Sequence, residues 1–232
     1  MDKAEFDRFA DEYRQLHSLN IQASGEGPEF FAEYKVRDTV NLWRSLGKTG
    51  KPQILDFGSG VGNSIPYFRQ FIPDCELTCL DVSDKSLTLA EERFPNEAKF
   101  VSFDGMHIPF PDEHFEIIFS ACVFHHIPHK EHNNLLRELH RVLQPGGLVV
   151  IFEHNPLNPL TVRAVNTCPF DENAMLIPAR ELVKTFKGAG FSSLLSHYRI
   201  FFPGALRAFR VLEPYLRWLP LGAQYYVAAW KN

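Results

Sequence analysis

Between residues 54 and 153 the chain alternates short apolar runs with segments of helical period, and this alternation constrains its fold more than any other feature. The pattern is typical of a parallel β-sheet whose strands are connected by crossover helices. It predicts an α/β protein with seven strands, two of them in the last quarter of the sequence. The predicted strands are 53–57, 76–81, 99–103, 115–123, 148–153, 191–201 and 224–231.

Helices are predicted in the segments that separate these strands. In the third of them Leu135, Leu136 and Leu139 recur at helical spacing, so one face should pack on the sheet. No repeat and no linker rich in Pro, Gly or Ser divides the 232 residues, so we expect a single domain. The predicted helices are 63–71, 83–94, 130–143 and 178–189, with 4–18 and 28–46 before the first strand.

The composition indicates which kinds of binding partner and which cellular compartment to expect. The formal net charge is -4, with Lys and Arg scattered along the chain, so it lacks the basic stripe of a nucleic-acid-binding protein. The first residues are charged rather than apolar, and we therefore expect a soluble, cytoplasmic protein. Four dispersed cysteines do not form a disulfide framework, and each is predicted to be an ordinary buried thiol. They are Cys75, Cys79, Cys122 and Cys168.

A glycine-rich loop, Gly58-Ser-Gly60-Val-Gly62, joins the first predicted strand to the following helix. Glycine lets a backbone turn sharply and approach a ligand closely. A dinucleotide-binding fingerprint would place its third glycine where Asn63 stands, and the Gly-Lys pair of a phosphate-binding loop is missing from the required spacing. The loop therefore indicates a bound small molecule but gives no support for a pyrophosphate.

Three acidic residues accompany three successive strands. Asp56 lies at the end of the first, Asp81 closes the second, and Asp104 follows the third. A carboxylate at Asp81 can accept hydrogen bonds from ribose hydroxyls, and one at Asp104 can accept from an adenine amino group. Three carboxylates suit a ligand with a ribose, an exocyclic amine and a positive charge. A cationic or zwitterionic ligand is therefore predicted.

Together these features resemble the class I S-adenosylmethionine-dependent methyltransferases, in particular the methyltransferase type 11 group that includes quinone-biosynthesis enzymes. The resemblance rests on the acids and glycines described above, the IPFPDEHF segment after Asp104-Gly105, and the Leu143-Gln-Pro-Gly-Gly147 turn. It spans roughly residues 54–153. It implies a Rossmann-like, doubly wound sheet of seven strands in which the last strand runs antiparallel.

The resemblance also implies a division of the single domain and a cofactor. The expected parts are an N-terminal helical cap at 1–50, a cofactor-binding core at 51–155 and a substrate-side half at 156–232. S-adenosylmethionine is the implied cofactor.

Each cofactor contact is carried over from the family motifs. Gly58 and Gly60 would lie against the methionine part, Asp81 would hold the ribose, and Asp104 with Met106 would flank the adenine. The predicted cofactor-binding residues are Asp56, Gly58, Ser59, Gly60, Gly62, Asn63, Asp81, Val82, Asp104, Gly105, Met106, Ser120 and Tyr13.

A histidine-rich segment, FHHIPHKEH at 124–132, follows the fourth predicted strand, where the resembled family presents the transferable methyl. His125 and His126 are predicted as catalytic general bases for an acceptor that begins as a hydroxyl. A structural or cofactor-bracing role for His125 is the alternative. The histidines match neither the H-E-x-x-H nor the H-x-x-E-H signature, so no metal is expected.

The acceptor is predicted to be a small molecule, hydrophobic or linked to a lipid or sugar. Residues 120–124 lack the Asn/Asp-Pro-Pro-aromatic motif of enzymes that methylate amino groups. We expect residues 205–222 to form a lid helix, with contact to a membrane surface as the alternative. Five residues are predicted either to cover the cofactor or to belong to the core, namely Tyr13, His17, Phe30, Phe31 and Tyr34.

The sequence is thus interpreted as an S-adenosylmethionine-dependent methyltransferase that works by in-line displacement on a small acceptor. An NAD-dependent oxidoreductase is the first alternative, which Asn63 and the Asp104 turn disfavour. A cofactor-binding regulator without catalysis is the second. The number of subunits is left open.

Overall fold

The computed structural model describes residues 25–232, and these residues form one β-sheet of seven strands. The strands are β1 (Gln53–Phe57), β2 (Glu76–Asp81), β3 (Lys99–Ser102), β4 (Phe115–Ala121), β5 (Leu143–His154), β6 (Ser193–Arg199) and β7 (Gln224–Trp230). Their order across the sheet is β3-β2-β1-β4-β5-β7-β6. Strands β1 to β5 are parallel, and β7 is antiparallel to both of its neighbours. The predicted doubly wound sheet with an antiparallel last strand is confirmed.

Helices cover both faces of this sheet. In the described part of the chain they are α1 (Pro28–Ser45), α2 (Ile65–Phe71), α3 (Asp84–Arg93), α4 (His129–Val142), α5 (Pro159–Asn166), α6 (Ala179–Gly188) and α7 (Glu213–Leu216). The predicted helix at 4–18 lies outside the described residues. The other predicted helices are present with ends shifted by at most two residues.

The core consists of one apolar layer on each side of the sheet. On one side Leu135, Leu136 and Leu139 of α4 are buried, as their spacing predicts, together with side chains of α6. On the other side Val40 and Trp43 of α1 pack with α2 and α3. Complete burial of one such side chain contributes about 1.5–3 kcal/mol. These layers fix the strand ends that carry the polar residues described below.

Five of the seven strands differ from the prediction at one or both ends, by at most two residues except at the start of β5. β4 stops at Ala121 because the next residue, Cys122, has a φ of 60°, a left-handed conformation that cannot continue a strand. β5 starts at Leu143, which pairs with Phe115 before a shift of register, rather than at residue 148.

The predicted lid helix at 205–222 is wrong. Instead the chain forms 3-10 turns over Gly204–Leu212, broken at Leu206, and then the four-residue α7. Pro214 stands at the start of α7, where a proline can begin a helix but could not continue one. Ion pairs tie this segment to the start of the described chain, with Arg210 Nη2 lying 2.8 Å from Glu26 Oε1.

No helix among residues 25–232 is both long and apolar enough to cross a membrane.

Candidate active site

A cavity of about 310 Å³ opens where the parallel strands β1, β2, β4 and β5 end. Its walls come from the glycine loop, the ends of these strands, and side chains of α1 and α5. The volume falls within the range of small-molecule sites, and this edge is where open α/β sheets bind their ligands. Eight predicted site residues line it, namely Asp56, Gly58, Ser59, Gly60, Asn63, Asp81, His125 and His126.

The glycine loop keeps its shape through backbone bonds to β2. The N–H groups of Gly58 and Ser59 both donate to the Leu80 carbonyl, at 2.8 and 3.2 Å. Gly58 has a φ of 74°, and a Cβ there would overlap the side chain of Val123. Gly60 has a φ of 52°, and a Cβ there would meet no atom within 4 Å. The first glycine therefore permits packing against the loop after β4, and the second leaves open space beside the cavity.

The acids at the ends of β1 and β2 have different environments. Asp81 Oδ2 accepts a hydrogen bond from the Gly60 N–H at 2.8 Å, and its Oδ1 accepts from the Ser83 N–H at 2.9 Å. Asp56 is 2% exposed and accepts a hydrogen bond from the Ser64 hydroxyl. Burial raises the pKa of Asp56 to about 7, although the Ser64 bond opposes the shift. The neighbouring Asp81 charge adds to the increase.

The third predicted acid lies outside the cavity lining. Asp104 is exposed, and its Oδ1 accepts hydrogen bonds from the Met106 and His107 N–H groups, each at 2.7 Å. These bonds lower the pKa of Asp104. Met106 is 63% exposed. The remaining predicted residues outside the lining are Gly62, Val82, Gly105 and Ser120, and Tyr13 lies outside the described residues.

Gly62 and Ser120 have structural environments that explain their absence from the cavity wall. A Cβ on Gly62 would press against Ile65 and Ala90, so this glycine allows the loop to pack on α2 and α3. Ser120 lies within β4 and is completely buried.

His125 and His126 form a 3-10 turn directly after β4. His125 is 1% exposed, and its Nδ1 lies 2.6 Å from Glu153 Oε2. The other oxygen of Glu153 accepts from the N–H groups of Val123 and Phe124, at 3.1 and 2.8 Å. Glu153 was not identified as a site residue from the sequence. The sequence feature that could have identified it is an acidic residue in the otherwise apolar run VVIFEH, because a buried carboxylate requires hydrogen-bonding or charged partners.

Asp171 is the second residue that sequence reasoning missed. Its Oδ1 lies 3.5 Å from His125 Nε2 and 3.4 Å from His126 Nε2. Burial by itself lowers the pKa of His125, but Glu153 and Asp171 outweigh it and raise that pKa to about 10. Burial and the charge of His125 lower the pKa of His126. At neutral pH His125 thus retains a proton here, and this argues against its predicted role as a base.

Cys122 corrects the prediction that all cysteines are ordinary buried thiols. It is only partly buried, it lines the cavity, and Lys35 Nζ donates to its sulfur at 3.1 Å. Burial tends to raise the pKa of Cys122, but Lys35 and His154 outweigh that effect and lower it to about 6. Cys75, Cys79 and Cys168 are buried as predicted.

α1 supplies part of the cavity wall. Phe31 and Lys35 line the cavity, whereas Tyr34 is buried in the core and its hydroxyl donates to Gln224. Of the aromatic side chains predicted as either cover or core, Phe31 is a buried core residue that also lines the cavity, and Tyr34 is a core residue outside the lining.

Comparison with known proteins identifies the family. Residues 55–151 match the model of the methyltransferase domain family, and this segment runs from β1 through most of β5. Residues 55–151 thus form a methyltransferase domain, and the relatives and the shared fold support a class I S-adenosylmethionine-dependent methyltransferase. S-adenosylmethionine is accordingly its cofactor, as the sequence predicted.

Curated relatives of this methyltransferase include ubiquinone/menaquinone biosynthesis C-methyltransferases. The protein from Ectopseudomonas mendocina is 31% identical over 125 residues, covering 51% of this chain and 48% of that protein. The protein from Pseudomonas putida strain GB-1 is 30% identical over 141 residues, covering 56% and 54%. The chain thus spans about half the length of the curated relatives it matches.

Solved structures show the same fold at low sequence identity. An S-adenosylmethionine-dependent methyltransferase from Thermotoga maritima has a TM-score of 0.69 at 16% identity, with 99% of each chain covered. Phosphoethanolamine N-methyltransferase 2 from Haemonchus contortus, in complex with phosphomonomethylethanolamine and S-adenosylhomocysteine, has a TM-score of 0.68 at 17% identity. That comparison covers 99% of this chain and 60% of the other.

The residues of this methyltransferase fit the cofactor. Gly60 leaves the open space that a ligand needs, and Asp81 presents a carboxylate on the same wall. A carboxylate can accept hydrogen bonds from ribose hydroxyls. Its negative charge is also attracted to a cationic sulfonium.

Proposed function

We propose that this chain transfers the methyl group of S-adenosylmethionine to a small-molecule acceptor and releases S-adenosylhomocysteine. The observation that carries the proposal is that the glycine loop, Asp81 and the two histidines line one cavity. The loop and the acid suit the cofactor, and the histidines suit an acceptor. Donor and acceptor would therefore meet in one cavity, where proximity and orientation lower the barrier.

When bound, S-adenosylmethionine would supply a methyl group on a positively charged sulfur; an acceptor atom in line with the carbon–sulfur bond would take the methyl carbon as that bond breaks and the sulfur leaves as a neutral thioether. The residues of the chain bind and orient the two partners. Gly58 and Gly60 bring backbone close to the methionine part, Asp81 accepts hydrogen bonds from the ribose, and Phe31 helps to exclude water. The contacts of Asp104 and Met106 with adenine stay predictions, because both residues lie outside the cavity lining.

The acceptor end of the cavity is proposed to be the part formed by His125, His126 and Asp171. These groups line the same cavity as the glycine loop and can act on an ionisable oxygen of an acceptor. His126 thus remains the candidate base of the proposal, whereas His125, which keeps its proton, would instead hydrogen-bond to the acceptor.

The acceptor is proposed to have an apolar part. The cavity wall includes Leu160 and Phe201, and Leu160 is 73% exposed. Exposed apolar side chains continue along the segment after β6, among them Phe209, Tyr215 and Trp218. Relatives named for quinone biosynthesis also support an apolar ring compound as acceptor. A membrane surface is the alternative partner for the exposed side chains, and flotation with anionic vesicles tests it.

The proposed activity can be tested with methyl-labelled S-adenosylmethionine and a panel of hydroquinones, phenols and hydroxylated prenyl lipids. We expect a labelled product and S-adenosylhomocysteine in equal amounts, only when an acceptor is present. Asp81→Asn should reduce the yield, and Asp74→Asn, an exposed acid outside the cavity, should not. Failure of S-adenosylhomocysteine to bind in calorimetry would refute the proposal. Binding without any methylated product would favour the regulator without catalysis, and binding of NAD instead would favour the oxidoreductase.

A further inference from the structure

His125, His126 and Asp171 form a compact cluster at the acceptor end of the cavity. One potential ligand atom from each residue lies within 4.8 Å of the other two. Within residues 25–232 this is the one group of three or more His, Cys, Asp or Glu side chains with that arrangement. The histidines come from the turn after β4, and the aspartate ends the 3-10 turn Pro169–Asp171, so the fold assembles the cluster from two distant loops.

Two of the three spacings within the cluster are close to those expected around a shared metal ion. The Asp171 oxygen lies 3.5 and 3.4 Å from the two Nε2 atoms. N–H···O hydrogen bonds are most often about 2.9 Å long. Ligand atoms held about 2.0–2.1 Å from a tetrahedral metal are instead about 3.3 Å apart. The two observed distances are closer to the edge of a metal polyhedron than to a direct hydrogen bond.

Glu153 orients His125 in the way that metal sites require. Metal-bound histidines commonly donate their other ring N–H to a carboxylate, which fixes the tautomer and the ring plane. Here His125 Nδ1 lies 2.6 Å from Glu153 Oε2, and Glu153 is itself held by two backbone N–H groups. This arrangement directs His125 Nε2 towards Asp171.

A backbone bond also connects the two loops, since the Met175 N–H donates to the His125 carbonyl at 2.7 Å. All three cluster residues line the cavity. Three protein ligands with an open position are typical of catalytic zinc sites, whereas structural sites close the fourth position. Because all three residues line the cavity, an open fourth position would be reached from the space proposed for the acceptor.

We propose that His125 Nε2, His126 Nε2 and the Asp171 carboxylate bind a divalent transition metal of the zinc type, which displaces the proton on His125 Nε2 into solvent and whose open position takes an oxygen of the methyl acceptor. Two imidazoles favour zinc and its neighbours over magnesium or calcium, which prefer oxygen ligands. The role towards the acceptor rests on the proposed function. A metal at this position makes a bound hydroxyl more acidic, so the acceptor can ionise without a histidine base.

Metal binding itself is tested on the full chain, without a histidine tag and after treatment with a chelator. We expect one Co²⁺ per chain, with the visible absorption of tetrahedral cobalt, and competition by Zn²⁺ in calorimetry. His126→Gln and Asp171→Asn should each weaken binding at least about tenfold. His129→Gln is the matched control, because His129 is an exposed histidine of the same segment outside the cluster. Glu153→Gln should weaken binding by about 10–100-fold without removing a ligand.

Thermal unfolding and S-adenosylhomocysteine affinity, measured on each variant, separate loss of metal from loss of structure. If the wild-type chain binds no Co²⁺, or if His126→Gln and His129→Gln bind it equally, the site is refuted. If the loaded chain methylates its acceptor equally fast after the metal is removed, the role towards the acceptor is refuted. Failure of the proposed function is distinct, because it appears as missing S-adenosylhomocysteine binding while Co²⁺ still binds.

Discussion

Lys35 Nζ lies 3.1 Å from the sulfur of Cys122, and both side chains line the cavity. Lys35 comes from α1 and Cys122 from the residue directly after β4. A nearby ammonium favours the thiolate, and the thiolate is the reactive form of cysteine. The pair therefore places a negatively charged sulfur in the cavity that is proposed to hold a positively charged cofactor.

Alkylation of Cys122 should report this ion pair. We expect the rate of reaction with iodoacetamide to have a midpoint near pH 6 and Lys35→Met to move the midpoint to higher pH. Bound S-adenosylhomocysteine should slow the reaction, because it would share the cavity. Lys51→Met, a change at an exposed lysine, serves as the control. Peptide mass spectrometry identifies the labelled cysteine, and an unchanged midpoint in Lys35→Met would contradict the pairing.

Gly58→Ala should lower the free energy of unfolding by more than the left-handed backbone conformation alone explains. Gly58 and Gly47 both have a φ of 74°, but a Cβ on Gly47 meets nothing within 4 Å, whereas one on Gly58 overlaps Val123. Gly47→Ala should therefore lower the free energy of unfolding by about 1 kcal/mol and Gly58→Ala by about 2–4 kcal/mol. Adding Val123→Ala should recover part of the difference. Urea unfolding measures each value, and equal costs at the two glycines would exclude the overlap.

Asp56 should make stability depend on pH between about 4 and 7. Its folded pKa of about 7 exceeds the ordinary value of 3.8, so over this range the folded chain holds a proton that the unfolded chain has released. This group therefore stabilises the fold at low pH, and its contribution is lost as pH rises towards 7.

Asp56→Asn removes that dependence. Relative to the wild type, the variant should gain stability as pH rises from 4 to 7, by up to about 4 kcal/mol. Urea unfolding at several pH values tests this, with the exposed Asp74→Asn as a comparison. A difference between variant and wild type that stays constant with pH would disprove the raised pKa.

The two predicted nucleoside contacts should differ in strength. Asp81→Asn is expected to weaken S-adenosylhomocysteine binding at least about tenfold, because a donor amide replaces a charged acceptor on the cavity wall. Asp104→Asn should weaken S-adenosylhomocysteine binding less, since Asp104 lies outside the cavity lining and accepts hydrogen bonds from N–H groups of its own turn. Calorimetry gives both affinities. A larger loss at Asp104 would mean that the adenine contact dominates binding.

Local sequence patterns predicted the part of the site that is local in structure. β1, the glycine loop and the start of α2 are contiguous, so an apolar run followed by glycines was sufficient to place Gly58 and Gly60 at the cavity. Asp81 followed from the next strand, because neighbouring parallel strands end at the same edge.

The missed residues depend on long-range packing. Lys35 is a single lysine in a helix, and only the contact between α1 and the end of β4 turns it towards Cys122. Asp171 stands in a stretch without helical or strand period, so nothing in the sequence indicated that it would approach the histidines. The prediction of a continuous lid helix was wrong for a local reason, because a helix can begin at Pro214 but cannot continue through it.

The position of β7 between β5 and β6 has a consequence for biosynthesis. Gln224, the first residue of β7, lines the cavity, although residues of β1 in the same wall are translated far earlier. β5 and β6 are synthesised before β7 and must leave a gap that it later enters. The cavity of a ribosome-bound chain is therefore incomplete until β7 has emerged. Until then β5 and β6 have unpaired edges that are accessible to chaperones.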